Sequence, residues 1–346
     1  MQVKAIVLAL AASLPLVAAA QSAVVVYGVA DAGIAVERNG VSGNRATKVN
    51  SGNQSGSRIG FKGTEDLGNG LSAVFNVEGD VNVDTGAGGT NLFDRRSVVG
   101  LQSAAFGAVT VGREYTPAAA VAAMSDTFGQ GFYGSNLSAF NATTAAAGAT
   151  NSFLTRRISN SVNYVSNKQS GFTFRAAYGA LEAAAPIRSN AALKGVGVDY
   201  ADGALALAAA YHVTNRLVAG NDKEYALGAA YTYEGIEFKG NYLVADAVGN
   251  NNKFTQINAG VAYALGANKF FLNLQQDKIQ TGARANVFAI AYTYTLSKRT
   301  NVYSSLAKLR NNNIASFGLK ASSPTLAAGA VGADPSAFTL GLRHSF

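Results

Sequence analysis

The chain has 346 residues, a formal net charge of +8 at pH 7 and no cysteine, which excludes a disulfide framework and thiol chemistry. Only 14% of the residues are charged and 38 are glycine, whereas about a quarter of the residues in a typical soluble domain are charged. The two histidines, His212 and His344, lie far apart and argue against a metal site or a histidine dyad. Both are predicted to be strand side chains.

Residues 1–20 have the pattern of a secretory signal peptide. Lys4 precedes an apolar run from Ala5 to Leu16, and the segment ends in small residues suited to a signal peptidase. The apolar core is too short for a spanning helix, and a buried first helix is the less favoured alternative. The barrel domain would then comprise residues 21–346 with a net charge of +7, because the removed segment carries one lysine and no acid.

After this segment, short stretches that alternate between apolar and polar residues repeat to the end of the chain. The sixteen predicted strands are Ala23–Val36, Ser57–Glu65, Leu71–Asp80, Phe93–Ser103, Ala108–Glu114, Arg157–Asn167, Phe172–Leu181, Lys194–Tyr200, Ala204–Val213, Lys223–Tyr233, Ile236–Val244, Thr255–Ala264, Phe270–Asp277, Asn286–Leu296, Asn301–Leu309 and Ala337–Phe346. Short turns alternate with longer polar loops, as in outer-membrane barrels. One strand face is too polar for the dry core of a soluble sandwich. We therefore predict an all-β fold, a 16-stranded antiparallel transmembrane β-barrel, large enough for an aqueous channel.

The stretch from Gly112 to Arg157, after the fifth strand, is too long for a plain connector. It is rich in Gly, Ala, Ser and Thr, lacks a helix-period apolar face over most of its length, and has Glu114 and Asp126 as its only acids. A connection of this length without regular structure is usually functional or disordered. We expect an inward-folded third external loop that narrows the pore. Its aromatic residues are expected to anchor it to the wall: Tyr115, Phe128, Phe132 and Tyr133.

Six segments spread along the chain carry recognisable motifs. They are Val26–Gly33 (VYGVADAG), Ser57–Leu71 (SRIGFKGTEDLGNGL), Arg95–Leu101 (RRSVVGL), Val111–Arg113 (VGR), Leu296–Thr300 (LSKRT) and Gly341–Phe346 (GLRHSF). These segments resemble those of the trimeric general porins of Gram-negative, chiefly β-proteobacterial, outer membranes. The long loop from Tyr115 to Thr155 departs from that family, because it has fewer acids and more alanine.

The resemblance implies a homotrimer in the outer membrane, in contact with its lipids. It implies that the second external loop, Asp84 to Leu92, contacts the neighbouring subunit, and that the barrel assembly machinery reads the terminal Phe346. It also implies an arginine cluster on the pore wall opposite the third loop, made of Arg58, one of Arg95 and Arg96, and Arg157. A bulge would exchange Arg95 and Arg96, so the choice between them stays open.

The polar strand faces suggest further pore residues. Lys62 lies on the polar face of its strand, as Arg58 does. The candidate basic wall of the pore consists of Arg58, Lys62, Arg95, Arg96 and Arg157. The candidate acidic side consists of Glu78, Glu114 and Asp126. These acids either form the negative side of a field across the pore or neutralise nearby arginines and hold the loop. Because the loop has so few acids, we expect a mainly steric, Ala- and Gly-lined constriction in which wall arginines select the ion.

The predicted function is a general diffusion porin that prefers anions and passes small hydrophilic solutes. A substrate-specific channel with a saturable site is the alternative within transport. A barrel enzyme would need Ser, His and acid residues converging near the outer rim, which two distant strand histidines do not favour. We find no phosphate loop, nucleophile elbow or metal-ligand spacing, so the sequence predicts no enzyme, no cofactor, no metal and no nucleic-acid partner.

Overall fold

The computed structural model describes residues 23–140, 153–180, 192–216, 220–249 and 253–346. The predicted signal peptide lies outside the described residues. The strands are β1 Ala23–Arg38, β2 Arg45–Ser51, β3 Arg58–Gly68, β4 Leu71–Asp80, β5 Arg96–Ser103, β6 Gly107–Tyr115, β7 Arg157–Val165, β8 Phe172–Gly179, β9 Leu193–Asp202, β10 Leu205–Arg216, β11 Gly220–Tyr233, β12 Ile236–Asp246, β13 Phe254–Leu265, β14 Asn268–Ile279, β15 Arg284–Thr295, β16 Thr300–Asn311, β17 Leu319–Lys320, β18 Thr325–Leu326 and β19 Ser336–Ser345.

The predicted 16-stranded antiparallel barrel is confirmed. Each long strand pairs with its neighbours in the chain, and β1 pairs with β19 from Val29↔Ser345 to Arg38↔Ser336, which closes the sheet. Closure satisfies every edge, which a spanning sheet in lipid requires. The two-residue strands β17 and β18 form a separate hairpin outside the barrel sheet.

The second barrel strand is broken, which the sequence did not predict. Both β2 and β3 pair with β1. Strand β2 pairs with it from Ala32↔Ser51 to Arg38↔Arg45. Strand β3 pairs with it from Ala23↔Thr64 to Val29↔Arg58. They are therefore two halves of one strand, separated by residues 52–57. This break, with the sequence GNQSGS, has no apolar alternation.

The two faces of the barrel strands differ as the alternation predicts. One face exposes large apolar side chains such as Leu227, Ile257 and Leu274, while the opposite face carries buried polar residues such as Asn258 and Gln275. In a membrane barrel the apolar face contacts lipid and the polar face lines the interior. None of the helices in the described ranges is long and apolar enough to cross a membrane.

The long third loop folds against the inner face of the barrel. It contains a helix, α1, from Pro117 to Ser125, which packs on β9 to β12, and a short 3₁₀ helix from Asn136 to Ala139. The helix was not predicted. Pro117 stands at its start, where proline is tolerated, and the Thr116 hydroxyl accepts the Ala119 N–H at 3.2 Å as an N-cap.

Three of the four predicted aromatic anchors, Phe128, Phe132 and Tyr133, join the loop to the wall, whereas Tyr115 is the last residue of strand β6. The Phe132 ring lies 5.6 Å from the Tyr303 ring, and the Phe128 ring lies 6.2 Å from the Phe271 ring. The Tyr133 hydroxyl donates to Glu37 Oε1 at 2.7 Å. These contacts join the loop to separate sections of the wall.

Candidate pore constriction

A cavity of about 280 Å³ lies where the third loop approaches the broken strand. One side of it is lined by the basic residues Arg58, Arg95 and Arg156. The facing loop contributes small or neutral residues: Ala119, Ala120, Ala123, Gly129 and Gln130. The walls therefore differ in charge, with cations on the barrel side and no ionisable group among these loop residues.

Two carboxylates hold the first two arginines in place. Glu78 accepts from Arg95 Nε at 2.5 Å and lies 3.3 Å from Arg58 Nε, and Asp80 lies 2.7 Å from Arg95 Nη1. Glu78 and Arg95 are buried, so these charge-assisted bonds are stronger than exposed ion pairs. Glu78 thus lies beside the arginines and neutralises part of their charge.

Tyr115 joins the other cations of the cluster. Its hydroxyl oxygen accepts from Arg95 Nη2 at 3.2 Å and from Arg157 Nη2 at 2.8 Å. The guanidinium groups of Arg157 and Arg156 lie 4.6 and 5.8 Å from its ring centroid, a favourable cation–π arrangement. Burial and the charge of Arg157 lower the pKa of Arg156 to about 10, so this group stays protonated at neutral pH.

The arginine cluster therefore has an excess of positive charge. It consists of the four guanidinium groups of Arg58, Arg95, Arg156 and Arg157, opposed by the two carboxylates of Glu78 and Asp80. Two positive charges remain uncompensated within this group.

The prediction that Asp126 lines the pore is wrong. Asp126 is fully buried, and its carboxylate accepts the backbone N–H groups of Phe128 at 3.3 Å and Gln130 at 2.8 Å. Burial raises its pKa to about 6. Its role is therefore to shape the loop, because the residues that follow α1 turn back around its side chain.

Five other predicted site residues do not border the cavity: Glu78 and Arg157, which contact residues that do, and Arg96, Lys62 and Glu114. Arg96 forms an ion pair with Glu114 at 2.5 Å, and Lys62 lies over the Tyr27 ring at 5.2 Å from its centroid. Glu114 follows a register shift in β6 and lies on the same wall as the arginines. The idea that Glu78, Glu114 and Asp126 face the arginines across the pore is therefore wrong.

Both Arg95 and Arg96 point to the interior, which resolves the open choice between them. Arg96 is the first residue of β5 and pairs with Glu78. Arg95 precedes the strand, so strict alternation does not apply to it, and it reaches Glu78 as well. Arg95 borders the cavity and Arg96 does not.

The strand break forms the cavity wall beside Arg58. Asp31 of β1 is fully buried and accepts the backbone N–H groups of Gln54 at 3.0 Å and Ser55 at 2.7 Å, which holds the break in shape. The Asn53 carbonyl oxygen accepts the Phe132 N–H at 2.7 Å. The break is thus where the third loop docks on the wall.

Two contributors to this region were missed by sequence reasoning. Arg156 is adjacent to the predicted Arg157, and a consecutive basic pair at a strand start, as in Arg95–Arg96, could have indicated it. Lys320 comes from the last long connection, whose Ser322 hydroxyl accepts the Gly56 N–H at 2.7 Å. Burial and the charge of Arg156 lower the pKa of Lys320 to about 8.

A buried pair on β10 and β11 holds both ends of the third loop. His212 Nε2 accepts the Ala118 N–H at 3.1 Å, and His212 Nδ1 lies 3.1 Å from Glu224 Oε2. Glu224 also accepts from the Thr155 N–H at 2.9 Å and hydroxyl at 2.7 Å. Both ring nitrogens of His212 are therefore engaged in positioning the loop. Among the described residues, no group of three or more His, Cys, Asp or Glu could hold a metal ion.

Comparison with known proteins assigns the chain to a family. A model of the Gram-negative porins matches residues 5–314. The chain belongs to the Gram-negative porin family. Among curated porins, the outer membrane porin protein 32 of Delftia acidovorans is 29% identical over 342 residues, 95% of each protein. An outer membrane porin of Bordetella pertussis is 30% identical over 353 residues, which cover 83% of this chain and 88% of the relative.

Solved porin structures agree with this assignment. The anion-selective porin from Comamonas acidovorans superposes with a TM-score of 0.81 at 26% identity, over 94% of this porin and 100% of that chain. The trimer form of OmpT from Vibrio cholerae has a TM-score of 0.67 at 17% identity, over 94% of this chain and 99% of that chain. At this identity the likeness concerns the fold alone. The protein is therefore a porin of the Gram-negative outer membrane, a channel for diffusion.

Proposed function

We propose that this porin prefers anions and that the arginine cluster sets the preference. The observation that carries the proposal is the cavity in which Arg58, Arg95 and Arg156 face neutral loop residues. Basic side chains that line a pore favour anions, and low-dielectric walls focus their field on a passing ion. The similar porin from Comamonas acidovorans is anion-selective, which supports the same conclusion.

Planar-bilayer reversal potentials in a KCl gradient test this preference. We expect a reversal potential of the sign given by chloride permeation, whereas a clear cation preference would refute the proposal. The substrate-specific alternative predicts that a small anionic solute at low concentration blocks the ion current in a saturable manner. A general diffusion porin should instead show a current that changes only gradually with solute concentration.

We also propose that the porin performs no bond chemistry. His212 has both ring nitrogens occupied by loop and wall groups, and His344 Nδ1 lies 2.8 Å from the Thr300 hydroxyl. Neither arrangement offers a general base beside a serine nucleophile, which supports passive transport over hydrolysis.

The assembly of the porin follows from the same family likeness. We propose a homotrimer in which residues 84–92 contact the neighbouring subunit; Leu92 in this loop is 80% exposed. We propose that Phe346, whose backbone pairs with Gly28 at the barrel seam, is the residue that the assembly machinery reads. We further propose that residues 1–20 are a cleaved signal peptide and that residues 21–346 form the barrel domain.

A further inference from the structure

A long apolar groove crosses the membrane-facing side of β7 to β12. It consists of three adjoining cavities of about 680, 730 and 670 Å³. The first and second share Val196 and Tyr211, and the second and third share Val198, Ala209 and Leu227. We call this continuous depression the membrane-side groove.

The groove follows from side-chain sizes on neighbouring strands. Its floor on β9 and β10 includes the smaller residues Val196, Val198 and Ala209, and Tyr211 of β10 lies beside Tyr225 of β11 with ring centroids 5.0 Å apart. Further rings stand on both sides. The wall on β8 includes Phe172 and Phe174, which stack at 6.5 Å, and the wall on β11 and β12 includes Tyr225 and Tyr242.

Three lysines lie at the external end of the groove. Lys194 of β9 and Lys223 of β11 both pair with Val213 of β10, so they lie in one row on the same face. Lys253, which borders the groove, lies 3.2 Å from Asp246, the residue that pairs with Lys223. We call these three residues the lysine row. Asp246 offsets one of their charges, which leaves two.

The spacing of the row suits a phosphate group. Lys194 and Lys223 are two strands apart, or about 9.5 Å between Cα atoms at the usual strand spacing. Their flexible side chains can therefore converge above Val213 on an anion that lies between them. The row lies at the end of the strands that carries the long loops, which is the external side of an outer-membrane barrel.

The depth of the groove matches one leaflet of the membrane. The floor extends along β9 from Lys194 to Tyr200, which is about 20 Å along the strand. At a strand tilt of roughly 45° this corresponds to about 14 Å of depth, close to half of a hydrocarbon core of about 30 Å. The groove is therefore about as long as one acyl chain, and its far end at Tyr200 lies two residues before the end of β9 at Asp202.

We propose that the membrane-side groove binds a phosphorylated lipid of the external leaflet, with its phosphate on the lysine row and an acyl chain in the groove. The barrel position supports a lipid as the occupant, because β9 and β10 lie on the side of the barrel opposite the β1–β19 seam and far from the proposed subunit contact at residues 84–92. The charge of the row selects an anionic head group, and the aromatic walls select a hydrocarbon chain.

The test uses the purified, delipidated porin and native mass spectrometry with defined lipids. Dimyristoyl phosphatidic acid supplies both the phosphate and the chains. Dimyristoyl phosphatidylcholine has the same chains with a zwitterionic head group, and dihexanoyl phosphatidic acid has the phosphate with short chains. We expect the porin to retain the first lipid at least tenfold more strongly than either of the others.

Two variants separate the parts of the site. Lys194→Gln combined with Lys223→Gln should weaken retention of dimyristoyl phosphatidic acid by about tenfold or more, since each lysine near a membrane surface contributes about fivefold to anionic-lipid binding. Ala209→Trp fills the floor and should weaken retention of the long-chain lipid to a similar degree. The matched controls are Lys168→Gln with Lys298→Gln, in the short turns, and Leu274→Trp, on the membrane face of β14; both should bind like the parent.

Each remaining outcome contradicts the proposal. Equal retention of phosphatidylcholine, unchanged by the variants, would mean an ordinary boundary lipid. Equal retention of dihexanoyl phosphatidic acid would mean a phosphate site without an acyl-chain groove. A change of subunit number caused by Ala209→Trp alone would mean that another copy of the chain covers the groove. Unchanged KCl conductance of each variant shows that it has folded.

Discussion

At the residue scale, ion preference depends on which cations of the constriction have a carboxylate partner. Arg95 contacts both Glu78 and Asp80, whereas Arg156 donates to the neutral Gln130 Oε1 at 3.1 Å. Arg95 therefore serves to order the wall, and Arg156 provides positive potential to the solution. Lys320 adds a charge that responds to pH.

The lowered pKa of Lys320 predicts that the ion preference depends on pH. Its Nζ donates to the Ser323 carbonyl oxygen at 2.5 Å and to the Thr325 hydroxyl at 3.0 Å, close to the charges of Arg156 and Asp80. Because its pKa is lowered to about 8, it loses its proton as the pH rises through that value. The chloride preference should therefore fall between neutral and moderately alkaline pH, as measured by reversal potentials.

Lys320→Met tests the origin of this pH step. It removes the titrating group, so the reversal potential should become independent of pH across this range and equal the alkaline value of the parent. Lys168→Gln, in an exposed turn, is the control and should keep the step. If Lys320→Met keeps the pH step, another titrating group causes it.

At the element scale, the third loop is held by packing more than by charge. Phe132 is buried between Tyr303 and Phe271, at ring distances of 5.6 and 6.2 Å, and its backbone N–H donates to the strand break. His212 and Glu224 hold the two ends of the same loop. We therefore propose that this loop sets the width of the pore.

Phe132→Ala should loosen this loop. Truncation of a buried phenylalanine usually costs about 3–5 kcal/mol, and here the loss falls on the contact between loop and wall. We expect a larger and noisier single-channel conductance, because the loop samples positions farther from the arginine cluster. Phe338→Ala, on the membrane face of β19, is the control and should leave the conductance unchanged. A parent-like conductance in Phe132→Ala would mean that the loop does not limit the current.

The sequence predicts the regular elements of this fold better than its irregular ones. Strand alternation identified all sixteen barrel strands, because each has one face in lipid and one toward the interior. The first half of the second barrel strand, β2, was missed, because the six polar and glycine residues at 52–57 separate it from the alternating segment that follows. Helix α1 was missed because it is buried on most sides and has no amphipathic stripe.

The same distinction applies to the site. Arg58 could be placed on the interior face because it lies inside an alternating strand, and Arg156 was missed because it precedes one. Asp126 was assigned to the pore because its burial depends on how the loop turns, which no local pattern encodes. Lys320 reaches the site from a distant connection, and such contacts cannot be read from residue spacing.

At the scale of the whole molecule, the exposed second loop predicts how subunits associate. Leu92→Asp should weaken the proposed trimer, since a charge would replace an apolar contact at the interface. Native mass spectrometry or light scattering in mild detergent should then show monomers. Val331→Asp, on an exposed external loop, is the control and should remain trimeric. If Leu92→Asp stays trimeric as well, residues 84–92 do not form the contact.

We propose that the uncompensated charges of the arginine cluster select the ion. Arg58→Gln combined with Arg156→Gln removes two of the four positive charges, so that the remaining charges of Arg95 and Arg157 equal in number those of Glu78 and Asp80. A unit charge at 4 Å in water is worth about 1 kcal/mol, or about a fivefold change in ion partition. The chloride-to-potassium permeability ratio, measured from reversal potentials in a KCl gradient, should therefore fall by at least about fivefold and approach unity. Lys168→Gln with Lys298→Gln removes the same charge from the short turns and should keep the ratio of the parent. An unchanged ratio in the arginine variant, or an equal fall in the control, would show that the arginine cluster does not set the ion preference.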